Sequence, residues 1–77
     1  TVIAYSVPVG GAVDLSVYDV CGRKVATLVS SEERGAGRHE AVWDGTNDDG
    51  ELVASGVYFS RLTALGETLS SKMVLLK

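Results

Sequence analysis

A single cysteine, Cys21, stands in the 77-residue chain, so no intramolecular disulfide can form and the fold must rest on its core. Beside Gly22 it reads as a small turn or core residue, not a nucleophile. Histidine is equally scarce. His39 stands alone, with no serine, cysteine or second base near it in the arrangement that nucleophilic catalysis requires. Seven Lys and Arg against ten Asp and Glu give a formal net charge of −3, and the cations are spread from Arg23 to Lys77 without gathering into a stripe. Nucleic acids and anionic membranes are bound through clustered cations, so neither is expected as a partner. No apolar run approaches the ~18 residues of a membrane-spanning helix. No basic stretch followed by an apolar one opens the chain, so any export signal would lie upstream of Thr1. Aromatic residues make up only 6%, so most of the rings are needed inside.

What is present is globular. Hydrophobic residues form 45% of the chain and charged residues 22%, and the length fits one domain spanning residues 1–77. A chain this short buries only ~60% of its unfolded surface, which makes core filling decisive.

The apolar periodicity is that of strands. Ile3, Tyr5 and Val7 alternate with Val2, Ala4 and Ser6, and Pro8 ends the run because it cannot donate to a ladder. After Gly10 and Gly11, Val13, Leu15 and Val17 alternate with Asp14, Ser16 and Tyr18, the pattern of a strand with one buried face. Asp19-Val20-Cys21-Gly22 predicts a tight turn, with Asp accepting backbone N–H groups and Gly free to take positive φ. A third strand is expected over Arg23–Ser30, and the polar stretch Ser30–Gly37 reads as a loop. His39, Ala41 and Trp43 share a face of the next strand, which makes Trp43 the expected anchor between two sheets. Asp44–Gly50 breaks that strand. From Gly56, Val57, Phe59 and Arg61 alternate with Tyr58, Ser60 and Leu62. A turn at Leu65-Gly66-Glu67 then leads to a return strand through Ser71 to Leu76, stopping at Lys77. These elements predict an all-β fold, a small antiparallel β-sandwich of about seven strands with no helix.

Candidates for chemistry are few. Asp44-Gly45-Thr46-Asn47-Asp48-Asp49-Gly50 brings together oxygen donors of the kind calcium takes. With Gly50 at the glycine position of an EF-hand loop, the first and twelfth positions fall on Gly45 and Gly56, where Asp and Glu are required, so that motif fails. The loop reads first as a structural turn; a non-EF calcium site on Asp44, Asn47 and Asp49 is the second reading. Glu32-Glu33 and Asp48-Asp49 lie in loops as solvated charge, without the apolar pocket that general acid catalysis demands. Tyr18, Tyr58 and Phe59 are the rings available for a sugar-stacking platform. No enzyme activity and no resident cofactor are expected.

Several blocks then match a known family in order. They are Tyr5-Ser6-Val7-Pro8, the run from Val13 to Asp19 with Gly22, Arg23 and Val25, and Gly37, His39 and Trp43-Asp44-Gly45. Gly50, Ser55-Gly56-Val57-Tyr58-Phe59 with Arg61-Leu62, and Lys72-Met73-Val74-Leu75-Leu76 complete the set. Together they resemble the immunoglobulin-like domain of the flagellar hook-capping protein and of the C-terminal domains of bacterial secreted proteins. The terminal block is similar to type A sorting domains of type IX secretion. The resemblance implies an immunoglobulin-like module at the C-terminus of a larger exported protein, its covalent N-terminal cargo. It would fold in the periplasm, be recognised by an outer-membrane translocon, and be removed by a sortase-like peptidase that attaches the cargo to the cell surface. Carried over, Lys72, Met73, Val74, Leu75 and Leu76 match the terminal sorting strand, Gly56 and Tyr58 the strand before it, and Asp19, Gly22 and Arg23 the first turn. Trp43, Asp44, Gly45 and the Gly-Val-Tyr-Phe strand resemble the hook-capping variety. That variety also accompanies extracellular hydrolases, which implies a spacer or carbohydrate-binding accessory role as the alternative. In physical terms, a terminal edge strand offers unpaired backbone groups for strand addition, with Arg61 and Lys72 as the charges expected to flank it.

Overall fold

The computed structural model describes residues 1–76, and the expected stop at Lys77 lies outside the described residues. Six strands form: β1 (Val2–Val7), β2 (Gly11–Asp19), β3 (Lys24–Arg34), β4 (Gly37–Val42), β5 (Gly56–Ala64) and β6 (Glu67–Leu75). They make two antiparallel sheets, one of order β1-β4 and one of order β3-β2-β5-β6, packed as a small β-sandwich. The chain changes sheet where its turn formers lie, at Pro8–Gly10, at Gly35-Ala36 and along 43–55. About seven strands were expected. Six are present among the described residues because 43–55 spends its backbone groups on turns and one isolated bridge, Thr46 to Leu52.

The core is built from the alternation. Ile3, Tyr5 and Val7 of β1 face Val13, Leu15 and Val17 of β2, with Ala26, Val29, Tyr58, Leu62 and Leu75 around them. Trp43 leaves β4 and sinks between the sheets at 1% exposure. Its indole N–H donates to the Thr46 carbonyl at 2.9 Å, and its ring meets Tyr58 edge-on at 5.1 Å between centroids. The Tyr58 hydroxyl in turn donates to the Ala54 carbonyl at 2.6 Å. Both rings thus satisfy their polar ends while burying large apolar area.

Two expectations about element bounds are corrected. Ser30–Gly37 is not a loop: β3 runs on to Arg34. The register between β2 and β3 slips from Val13↔Glu32 to Leu15↔Val29, which places an extra residue in β3. Ser31 sits at that bulge with φ +48°. Its amide donates to the Asp14 carboxylate at 2.9 Å, so a side chain replaces the lost ladder partner and the polar segment stays extended. The return strand also starts earlier, at Glu67 and not at Ser71. The two-residue turn Leu65-Gly66, with φ of +53° and +77°, twists as a hairpin requires and pairs Ala64 with Glu67.

Tyr58→Phe removes one buried hydrogen bond without changing the ring, and should lower unfolding stability by about 1 kcal/mol. Urea denaturation followed by Trp43 fluorescence measures it; an unchanged midpoint would show that the Tyr58–Ala54 bond contributes nothing net.

Candidate functional site

The four-stranded sheet has two unlike edges. At one edge, β3 is bulged and covered: the Asp48 carboxylate accepts the Thr27 amide at 2.8 Å, and the Asp48 amide donates to the Val25 carbonyl at 3.1 Å. The loop after Trp43 thereby occupies the outward ladder positions of Val25 and Thr27 on β3. Asp48, expected as solvated charge, is a cap on a strand 21 residues away in sequence, a partnership that no local pattern announces.

At the other edge, β6 is nine residues long and pairs with β5 in unbroken register from Ala64↔Glu67 to Gly56↔Leu75. With Ala64 and Glu67 bonded across the turn, antiparallel alternation makes Leu69, Ser71, Met73 and Leu75 the inward-bonded residues. The backbone N–H and C=O groups of Thr68, Ser70, Lys72 and Val74 point away from β5. Here the fold brings together residues singled out from the sequence. Tyr58 lies opposite Met73, Gly56 opposite Leu75, and Val57 opposite Val74. Met73 and Leu75 face the core, Lys72 and Val74 the solvent, and Leu76 is 83% exposed. Arg61 is corrected: it lies on the interior strand β5, and its guanidinium stands 4.1 Å over the Tyr18 ring, so it does not flank the edge. Lys72 does.

The turn residues serve the backbone. Asp19 Oδ1 accepts the Cys21 amide at 2.9 Å and the Arg23 amide at 3.0 Å, while Oδ2 takes the Arg23 Nε–H at 3.1 Å. Gly22 closes the turn at φ +83°, where a side chain would be strained. Asp44 Oδ1 accepts the Thr46 hydroxyl at 2.6 Å and its amide at 3.1 Å. Gly45 takes φ +83° and its carbonyl receives the Val53 amide at 2.9 Å. Asn47 Oδ1 accepts the amides of Asp49 and Glu51 at 3.0 and 2.9 Å. Within Asp44–Gly50, the oxygens expected as calcium ligands in the second reading are thus engaged in turn geometry at Asp44 and Asn47.

The remaining candidates fall to packing. His39 stacks on Tyr5 at 5.5 Å, and its Nε2 donates to the Gly35 carbonyl at 2.7 Å. Cys21 is exposed in the turn. Of the three rings considered for sugar stacking, Tyr58 is buried and the Tyr18 face is covered by Arg61. Tyr18 and Phe59 sit side by side on the outer face of the sheet. What the arrangement offers is a bare strand edge backed by an anchored core, with no assembly of nucleophile, base and orienting group among the described residues.

Comparison with known proteins gives a family model, that of the FlgD Ig-like domain, matching residues 8–67. Searches of curated proteins and of solved structures gave no match. The matched stretch runs from Pro8 to Glu67, where β6 begins.

The Arg23 amide, bonded to the Asp19 carboxylate, holds it below the usual carboxylate range, with the Cys21 amide and the Arg23 guanidinium acting the same way. For Asp44 the Thr46 hydroxyl has that effect, followed by the Thr46 amide. Depressed folded values mean that this stabilisation is complete above the unfolded value of ~3.9 and is lost as pH falls through the folded values. The urea midpoint should therefore drop on acidification below about pH 4, and drop less in the Asp19→Asn, Asp44→Asn double variant. Identical acid-side slopes for the two proteins would remove these carboxylates from the pH dependence.

Proposed function

The chain belongs to the FlgD Ig-like domain family, and from that premise we propose that it is the secretion, sorting and surface-anchoring signal of a larger bacterial exported protein. The family is one of non-catalytic Ig-like modules, and the candidate residues above are engaged in folding. The function then lies in being recognised. The carrying observation is the asymmetry of the four-stranded sheet, in which β3 is capped by Asp48 while the regular edge of β6 carries no such cover among the described residues.

Such an edge supports recognition by strand addition, in which backbone bonds supply affinity and alternate side chains supply specificity. Lys72 on that edge discourages indiscriminate pairing and favours a partner with acidic groups. In this reading Lys72, Val74 and Leu76 are met by the export machinery, while Met73 and Leu75 anchor the strand and Gly56 and Tyr58 support it from β5. The partners are the covalent N-terminal cargo, an outer-membrane translocon and a sortase-like peptidase. The route is type IX-like, with passage through the periplasm to the surface or medium. The spacer reading has one observation in its favour, the end of the family match at Glu67, which leaves β6 outside it.

Deleting Lys72–Lys77 from the parent protein should hold the cargo in the periplasm, read by fractionation and by protease access to intact cells. Because Leu75 belongs to the core, Lys72→Pro is the companion variant. It removes one outward donor and leaves the β5–β6 ladder intact, and should reduce surface display with the fold unchanged. Normal display of both variants would reject the signal and leave the spacer.

A further inference from the structure

The smaller sheet is one strand too narrow for the larger. β1 lies over β5. The consequence is visible along the inner face of β6, where Leu69 is 62% exposed and Ser71 is exposed, although their partners Leu62 and Ser60 on β5 are buried. A groove of about 310 Å³ follows this gap, lined by Ile3, Tyr5, Leu15, Leu62 and Leu69, with Arg38 among its lining residues. A hollow of about 160 Å³ lies alongside it, lined by Val2, Ala4, Met73 and Lys72 among others.

The backbone of β1 faces the same gap. Thr1 and Trp43 exchange both main-chain bonds, at 3.0 and 2.8 Å. Antiparallel alternation then makes Ile3, Tyr5 and Val7 the residues bonded to β4, and turns the N–H and C=O groups of Val2, Ala4 and Ser6 away from it. A free ladder edge and the exposed apolar side chain of Leu69 thus meet along one line. The ion pairs among the described residues are Arg23–Asp19 and Arg34–Glu32, so Arg38 and Lys72 lack a carboxylate partner there.

We propose that this groove is a docking site for an extended peptide strand of another protein, one with apolar side chains at alternate positions and a carboxylate between them. The strand pairs with Val2, Ala4 and Ser6, making the smaller sheet three-stranded. Its apolar side chains cover Leu69, and its carboxylate meets Arg38. The site is distinct from the outward edge of β6, so failure here leaves the export reading standing.

The test uses the 77-residue chain and an acetylated, amidated heptapeptide, Thr-Val-Glu-Val-Thr-Val-Thr. Amide hydrogen exchange at Val2, Ala4 and Ser6 should slow on peptide addition. Replacing the peptide's glutamate by lysine, or Leu69→Glu or Arg38→Glu in the protein, should weaken binding about tenfold, with Trp43 fluorescence reporting that each variant folds. No binding at about 1 mM peptide would overturn the proposal. So would protection at Thr68, Ser70, Lys72 and Val74 instead, or protection that rises with protein concentration alone, which assigns the edge to a second copy.

Discussion

Trp43 carries the contact between a narrow sheet and a wide one. Two strands offer too little inner surface to cover four, and the indole fills the end of the interface that β4 leaves when its strand stops at Val42. Its position is determined at three points: the backbone is tied to Thr1, the N–H to Thr46, and the ring to Tyr58. The Tyr58–Ala54 bond and the turns around Asp44, Gly45 and Asn47 follow, because a buried Trp and Tyr require partners for their polar ends and the long connection supplies them. That connection then reaches β3, so filling one end of the core also covers one edge of the sheet through Asp48.

The covering is unequal, and the inequality gives the surface its character. Edge strands are exposed templates, and proteins blunt them with bulges, charges or covering segments. β3 has bulges and a cap, with Asp14 holding the Ser31 amide and Asp48 the Thr27 amide. β6 has Lys72 and a regular register. β1 has a free edge beside a groove. Asp19, Asp44 and Asn47 are committed to turns, while the outward backbone groups of β1 and β6 carry no such cap among the described residues.

Much of this was legible in the residue order, for local reasons. Alternation from Val13 to Val17 and from Tyr58 to Leu62 names the inward faces, because a strand's side chains repeat every two residues whatever it pairs with. Asp19 and Gly22 name their turn because the carboxylate and the positive φ act within four residues. The Ser30–Gly37 stretch was illegible, since its extended form depends on Asp14, 17 residues away, taking the amide that the bulge expels. The capping role of Asp48 was hidden for the same reason. So was the stacking of Arg61 over Tyr18, which needs β2 and β5 side by side.

The amino-acid order by itself determined an all-β module with Trp43 as its anchor and its turns at Asp19–Gly22 and Leu65-Gly66. These depend on period, turn chemistry and composition, which act over a few residues. Only the tertiary structure decided which strands lie at edges, which edge is capped, and where the groove beside β1 opens. Those depend on pairing order, and pairing order is set by which distant backbone groups find each other once the core closes.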